Sequence, residues 1–230
     1  MLHFLSGEKK RAVIPKFHYR RIGEVNIFEV RGVFAEPWVK RISGEMNRTL
    51  EEDETKGLLF NVREVEKVDH PGAEAVLNVV RGRRKGGILG HNLSAYFIAE
   101  HMNPSEPIPI FAKGNEAIGY FGKEFAEGVK SPLEDRRRLP RTKTALPVEF
   151  ELNNLDEKFY LEAVVTNLSE GGLFGYFLDT PSEELATRIL DPFDLKMLNV
   201  RLRLEKERDI EMQGKLIRSP KDFAEEKGVA

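Results

Sequence analysis

Leu58-Leu59-Phe60-Asn61-Val62 is the stretch of sequence that decides the fold of the first half of the chain. An apolar run this short and continuous predicts a strand that is buried on both faces of a sheet. Apolar residues recur at spacings of three and four before it, in residues 37–50, and after it, in residues 75–80, which predicts amphipathic helices. Asn92 is expected to cap a third helix. Because strands alternate with helices, we expect an α/β domain with a mixed sheet.

The composition excludes several classes of function. The chain has 230 residues, of which 40% are hydrophobic, and a net charge of −2, so we expect folded cores and no general attraction to polyanions. It contains no cysteine, which excludes disulfides and a thiol nucleophile. No nucleophile–base pair, acid–base pair or metal cluster stands out, so we expect neither an enzyme nor a cofactor.

The sequence also lacks the signals of a membrane or exported protein. No apolar run approaches the roughly 20 residues of a membrane span. The apolar stretch at the N-terminus is too short for a signal peptide, and its charges lie on the wrong side of it. We therefore expect a soluble, cytoplasmic protein with no membrane partner.

The pattern changes in the second half of the chain, after a linker that begins near residue 129. Five β-rich segments follow one another there without amphipathic helices of comparable length between them: residues 146–152, 159–166, 172–178, 193–204 and 210–217. Half-buried alternation and turn signals between the segments are typical of antiparallel sheet. We expect a small all-β domain, a six-stranded antiparallel barrel.

Two motifs flank the start of this β-rich region. Four of the six residues in 136–141 are arginine, in a loop fixed by Pro140. Asn167-Leu168-Ser169-Glu170-Gly171-Gly172 is a polar turn that ends in two glycines and follows a β-branched run. Arginine binds phosphate and the O6/N7 edge of guanine in a bidentate manner. An Asn and a Ser on a tight turn would complete the hydrogen bonding of a base edge, so the pair of motifs predicts a site for a small anionic guanine nucleotide.

With these motifs, residues 134–230 resemble a PilZ domain, the bacterial receptor module for cyclic di-GMP. The R-x-x-x-R motif of that family matches Arg137 to Arg141, and its [D/N]-x-S-x-x-G motif matches Asn167 to Gly172. The resemblance implies cyclic di-GMP as the ligand, held by loop arginines and by the turn on the barrel. The predicted ligand-binding residues are Arg136, Arg137, Arg141, Asn167, Ser169 and Gly172.

The resemblance also assigns roles. Arg137 and Arg141 would grip phosphate oxygens or a guanine edge, or stack on a base. Asn167 and Ser169 would bond the other polar edge of a guanine, and Gly172 would allow a close approach or a positive φ. Arg136 would favour a stacked pair of ligands. The chain ends at Ala230, where the barrel of that family runs into its last strand, so we expect a shortened chain or an abbreviated strand.

Residues 16–128 resemble the STAS domain, the fold of bacterial anti-sigma factor antagonists, in the order of their elements and in the position of one loop. Family members carry Asp-Ser-Ser-Gly after the buried strand, and the second Ser is the phosphorylation site. This chain reads Asp69-His70-Pro71-Gly72 there, and Pro71 has no hydroxyl. Switching by serine phosphorylation is therefore not expected. The resemblance implies a docking module for another protein or for a second copy of the chain, and His70 as a phospho-acceptor is an alternative.

The sequence thus predicts three parts: a STAS-like domain at residues 16–128, a linker with the arginine loop at 129–142 and a PilZ-like barrel at 143–230. Binding of cyclic di-GMP to the loop would change how the two domains pack. One alternative is an adaptor that binds proteins without any nucleotide. Another is an RNA-binding protein that uses the basic residues of 81–85 and 136–141, although no nucleic-acid partner is expected.

Overall fold

The structure, a computed structural model, describes residues 14–51, 55–127, 142–153, 158–170, 172–179, 198–204 and 208–214. The elements of the N-terminal part are β1 (Lys16–Ile22), β2 (Val25–Phe34), α1 (Trp38–Glu51), β3 (Gly57–Asn61), β4 (Val65–Val68), α2 (His70–Arg81), β5 (Lys85–Leu89), α3 (Leu93–Glu100), β6 (Ile110–Phe111) and α4 (Gly114–Ala126). Those of the C-terminal part are β7 (Thr142–Asn153), β8 (Lys158–Ser169), β9 (Gly172–Phe177), β10 (Leu198–Leu204) and β11 (Arg208–Gly214).

The first sheet is mixed, as predicted. Its strands lie in the order β1-β2-β3-β5-β6, and β4 pairs with the far end of β2. The β1–β2 pair is antiparallel, whereas β2–β3, β2–β4, β3–β5 and β5–β6 are parallel. All five residues of β3 are buried, which confirms the prediction of a central strand covered on both faces.

Short polar side chains fix where the helices begin. The Asp69 carboxylate accepts from Gly72 N (2.9 Å) at the start of α2, and Asn92 Oδ1 accepts from Ala95 N (3.0 Å) at the start of α3. These are N-caps, which satisfy backbone donors that the first helical turn leaves without partners. The predicted cap at Asn92 is confirmed.

Alternate side chains of each central strand enter two different cores. On one face, Phe28 and Phe60 pack with residues of α1, α2 and α3. On the other face, Ile27 and Leu59 pack with Phe121 of α4. This second core also contains Val164 and Leu178 from the C-terminal part, so α4 lies between the two sheets and contacts both.

The second sheet is antiparallel and has the order β11-β10-β7-β8-β9. One of its faces buries Val148, Phe150, Ala163 and Phe177, with the rings of Phe150 and Phe177 5.8 Å apart. The predicted antiparallel sheet is confirmed. Five strands are described where six were predicted, and among the described residues β9 and β11 each pair with a single neighbour. A closed barrel is therefore not shown and stays a prediction, as do the domain boundaries, since residues 128–141 lie outside the described part.

The turn between β1 and β2 requires glycine and provides a first test of this packing. Gly23 has φ +58°, and a Cβ there would lie 2.4–2.6 Å from the backbone oxygens of Phe125, Glu127 and Glu124 at the end of α4. We expect Gly23→Ala to lower the free energy of unfolding by about 1–3 kcal/mol, measured by denaturant titration. Gly119→Ala is the matched control, because nothing lies within 4 Å of that position on α4. It should raise stability by about 0.5–1 kcal/mol, and an equal loss in both variants would contradict the assignment.

Candidate functional site

The motif turn, which is the polar turn predicted at residues 167–172, joins β8 to β9. Ser169 and Gly172 form the last pair of that hairpin, and Ser169 Oγ donates to the carbonyl oxygen of Gly172 (3.2 Å). Gly172 has φ +149°, and open space surrounds the position of its missing Cβ. The predicted positive φ at Gly172 is confirmed. A planar ligand can approach this turn without meeting a side chain at position 172.

The start of β7 lies alongside this turn. Thr142 pairs with Leu168, and Lys143 pairs with Asn167. The chain therefore enters the second sheet one residue after Arg141, next to the residues of the second motif. The predicted ligand-binding arginines at 136, 137 and 141 lie outside the described residues, so the structure places half of the predicted site and the strand that leads into it.

Asn167 is less accessible than the sequence led us to expect, since its exposed fraction is only 3%. The register of β8 shifts between Val165 and Asn167 on the β9 side, and that of β7 shifts between Lys143 and Leu146. Such bulges turn side chains to a different face of a sheet. The residue at the bulge is Thr166, whose buried Oγ1 has no hydrogen-bond partner within the described residues. A ligand would meet Ser169 and Gly172 first and would reach Asn167 only after a local rearrangement.

A second cluster of polar residues, which the sequence did not predict, joins the two parts of the chain. Arg63, in the turn after β3, donates from Nη1 to Glu162 of β8 and from Nη2 to Asp179 Oδ1 (2.5 Å). Asn61 Nδ2 donates to the same Asp179 oxygen (2.8 Å). Glu162 Oε1 also accepts from Gly114 N (3.1 Å), at the positive end of the α4 dipole. Both carboxylates of the C-terminal part are thus held by groups of the N-terminal part.

Charge compensation makes this cluster stable in a half-buried setting. Arg63 is 15% exposed, Glu162 28% and Asp179 29%. Burial opposes the charge of the Arg63 guanidinium, but the carboxylates of Asp179 and Glu162 outweigh that effect and raise its pKa above the ordinary arginine value. Arg63 therefore stays protonated and paired. The residues are about 100 positions apart in sequence, so no local motif could have revealed the cluster.

Further charged side chains lie buried on β1 and β2 of the first sheet. Glu29, 2% exposed, lies 3.6 Å from Arg20 Nη2 and 2.5 Å from Arg31 Nη2. Desolvation lowers the pKa of Arg20, although Glu29 and Asp179 oppose this shift by their negative charge. Asp179 thus acts on Arg20 as well as on Arg63, and the second sheet adds negative charge to a face rich in arginine.

The loop at residues 69–72 has a structural role. The two carboxylate oxygens of Asp69 accept from Gly72 N and from Glu36 N, both at 2.9 Å. Pro71 lies in the first turn of α2, and the His70 side chain is 63% exposed. The loop therefore offers an exposed imidazole at position 70 and no hydroxyl at position 71.

The basic residues of 81–85 are largely engaged within the fold. Arg83 Nη2 donates to the carbonyl oxygen of Leu50 (2.9 Å), and Lys85 Nζ lies 2.8 Å from Glu124. These contacts explain the cluster as a structural feature at the end of α2. They leave less positive charge available for a nucleic acid than the sequence indicates.

A cleft of about 320 Å³ opens on the polar face of the second sheet, across β7, β10 and β11. Its charged lining consists of Glu149, Glu151, Arg201 and Glu211, and Arg201 already lies 2.8 Å from Glu211. The excess of carboxylates would repel phosphate, so this cleft does not suit a nucleotide. Across the described residues, no group of three or more His, Cys, Asp or Glu side chains could hold a metal ion.

The described helices include none that is both long and apolar enough to cross a membrane.

Neither a known protein family nor a curated protein matches this chain. Among solved structures, an anti-sigma factor antagonist from Mycobacterium paratuberculosis covers 46% of this chain and 92% of its own, at 9% identity and a TM-score of 0.41. The Bacillus cell fate determinant SpoIIAA in its phosphorylated form covers 45% of this chain and 97% of its own, at 15% identity and a TM-score of 0.37. A protein with a SpoIIAA-like fold from Shewanella loihica PV-4 covers 50% and 98%, at 12% identity and a TM-score of 0.38. At identities below 25% and TM-scores below 0.5, these likenesses carry no conclusion about this chain.

Proposed function

We propose that the chain is a protein-interaction module whose C-terminal part is a receptor for cyclic di-GMP. The main support for nucleotide binding is the register at the start of β7, where Thr142 and Lys143 pair with Leu168 and Asn167. A site built from two motifs requires that they meet in space. This register supports such a meeting, because it brings the segment that ends at Arg141 to the motif turn.

The chemistry of the two motifs suits this ligand. Cyclic di-GMP carries two phosphates and two guanines, so it requires cationic donors and a polar edge in one place. Arg137 and Arg141 would bind phosphate oxygens or guanine O6 and N7. The half-buried Ser169 and the open space at Gly172 would receive a base, and Asn167 would join once the bulge rearranges. Arg136 would add charge for a second, stacked ligand.

The end of α4 supports the coupling of this site to the N-terminal part. Glu24 N donates to the carbonyl oxygen of Glu124 (2.8 Å), and Lys56 Nζ lies 2.7 Å from Glu127. The Lys56–Glu127 hydrogen bond raises the pKa of the lysine and lowers that of the glutamate. The end of α4, after which residues 128–141 follow in the sequence, is thus held by the turn after β1 and by Lys56. A ligand held by this segment would exert its effect on the packing of α4 between the two sheets.

A second candidate is a protein-binding adaptor that needs no nucleotide. Two observations favour it. Asn167 is almost fully buried, and α3 exposes large apolar side chains, with Leu93 86% and Tyr96 64% accessible. Exposed apolar residues grouped on one helix are typical of a contact surface for another protein. Both candidates give the N-terminal part an interaction role, and they differ only in the response to nucleotide.

We propose a binding role and no enzymatic one, because the motifs predict contacts to an anionic ligand and supply no nucleophile–base pair. The proposal places the chain in the cytoplasm, with a protein partner at the N-terminal part and with a homodimer as an open alternative. It assigns no cofactor.

Thermal unfolding in the presence of guanine nucleotides tests the proposal. Cyclic di-GMP at about 100 times its Kd should stabilise the full chain by roughly 2.7 kcal/mol, because it binds only the folded form. GMP and GTP at the same concentration should have no such effect, since each carries a single guanine and neither contains two phosphodiester groups. Equal shifts with all three nucleotides would indicate a general effect of anions, and no shift with any of them would favour the adaptor.

A further inference from the structure

The turn between β3 and β4, residues 62–65, is held from two opposite sides. On the side of the second sheet, Arg63 and Asn61 donate to Asp179, and Arg63 also donates to Glu162. Asn61 additionally supports the turn itself, because its Oδ1 accepts from Arg63 N (3.1 Å). The position of the turn therefore depends on two carboxylates that belong to the C-terminal part of the chain.

On its other side, the turn is bound to the first residues of α3. Asn92 Nδ2 lies within hydrogen-bond distance of three carbonyl oxygens, those of Val62 (2.8 Å), Arg63 (3.1 Å) and Val65 (3.0 Å). Ser94 Oγ donates to the same Val65 oxygen (3.0 Å). Asn92 is also the N-cap of α3. Asn92 and Ser94 thus tie the turn to the start of the helix.

The chemistry of the Arg63 cluster differs from that of the interface around it. Phe121, Phe125, Val164 and Leu178 make the rest of the contact between α4 and the second sheet apolar. A half-buried ion cluster contributes less to stability than an apolar contact of the same volume, because its charges lose hydration. The strength of the ion cluster depends on the geometry of its hydrogen bonds. Water takes the place of the opposite partner in these bonds when the two sides of the contact separate.

We propose that the turn at residues 62–65 is a conformational relay, through which the second sheet controls the position of α3. When Asp179 and Glu162 hold Arg63, the turn presents its carbonyl oxygens to Asn92 and the start of α3 is fixed. When the second sheet moves away, Arg63 is released, the turn loosens and the first turn of α3 loses its anchor. The helix affected carries the exposed Leu93 and Tyr96. The relay operates whatever moves the second sheet, with or without a nucleotide.

Hydrogen exchange of the full chain, followed by mass spectrometry on peptides from residues 93–100, tests the relay. We expect Asp179→Ala to accelerate exchange in α3 roughly tenfold, since it removes a charged acceptor of two hydrogen bonds. Glu211→Ala is the matched control, because Glu211 pairs with Arg201 within the second sheet (2.8 Å). It should leave α3 unchanged. If Asp179→Ala does not fold, Asp179→Asn keeps an oxygen for Asn61 and should accelerate exchange about threefold.

A second variant tests the route. Asn92→Asp keeps the oxygen that caps α3 and removes the amide that donates to the turn. In that background, Asp179→Ala should add little further acceleration in α3, because only the Ser94 Oγ bond to the Val65 oxygen still joins the turn to the helix. An unchanged α3 in both Asp179 variants would overturn the proposal, as would a full tenfold effect of Asp179→Ala on top of Asn92→Asp.

Discussion

Arg141→Ala is expected to weaken the binding of cyclic di-GMP by roughly 30- to 4,000-fold. Truncation of one partner in a hydrogen-bonded charge pair costs about 2–5 kcal/mol, and each 1.4 kcal/mol is tenfold in Kd. Arg141 directly precedes Thr142, which pairs with Leu168 of the motif turn. Of the three predicted arginines it is therefore the one closest in sequence to the strand that pairs with the motif turn. Calorimetric titration of the variant with cyclic di-GMP measures the loss.

Arg138→Ala is the matched control for this prediction. It removes the same charge from the same loop, at a position between the two arginines of the R-x-x-x-R motif. We expect its Kd to stay within about threefold of the wild-type value, which is less than the tenfold that corresponds to 1.4 kcal/mol. An equal loss of affinity in the two variants would mean that the arginines contribute only their positive charge, whatever their position in the motif. This is what the RNA-binding alternative predicts. In that case the affinity should also fall steeply with salt.

Phe121→Ala is expected to have the largest effect on stability, a loss of about 3–5 kcal/mol in the free energy of unfolding. The Phe121 side chain is fully buried, and its ring centroid lies 4.9–6.4 Å from those of Tyr120, Phe125 and Phe111. Since the core around it includes residues of both sheets, the cavity should destabilise them together. Denaturant titration, followed by circular dichroism and by hydrogen exchange of β8, measures the loss.

Tyr160→Ala serves as the control for Phe121→Ala. Tyr160 is an aromatic residue on β8 that is 57% exposed, and its loss should change stability by no more than about 0.5 kcal/mol. A result in which Phe121→Ala weakens the first sheet while β8 keeps its wild-type exchange rate would contradict a shared core. It would make the two parts independent domains joined only by their linker.

The sequence predicts those elements whose own residues show a pattern typical of a strand or a helix cap. The continuous apolar run of β3 and the cap at Asn92 belong to this group, because burial on two faces and capping each require particular residue types. β4 was missed. Val65-Glu66-Lys67-Val68 has only two apolar positions, and the strand forms because its ends pair with β2 across a register shift at Gly32. A strand that depends on its partner leaves little trace in its own sequence.

The contact between the two parts of the chain could not be predicted for a similar reason. Arg63, Glu162 and Asp179 meet only because α4 lies between the two sheets, and each of them alone resembles an ordinary surface charge. The sequence alone predicts a connection between the two domains only through the linker. The structure adds an extensive contact at α4 and at Arg63, so a change in the linker acts on parts that already touch.

The motif turn and its terminal glycine follow from residue types that need a hairpin at this position. The binding role of the turn stays a prediction, and β7 begins at Thr142, four residues before the segment expected from the sequence. The burial of Asn167 does not follow from these residue types. It results from the bulge at Thr166, and a one-residue bulge changes the face on which every later side chain lies. No property of the Asn-x-Ser pattern distinguishes a regular hairpin from a bulged one.

Calorimetric titration of the wild-type chain with cyclic di-GMP tests the central claim most directly. The account predicts saturable heat, with one or two ligands per chain depending on whether Arg136 supports a stacked pair. GMP under the same conditions should give none. Absence of heat with cyclic di-GMP, in a chain that is folded by circular dichroism, would contradict the account and leave the nucleotide-independent adaptor.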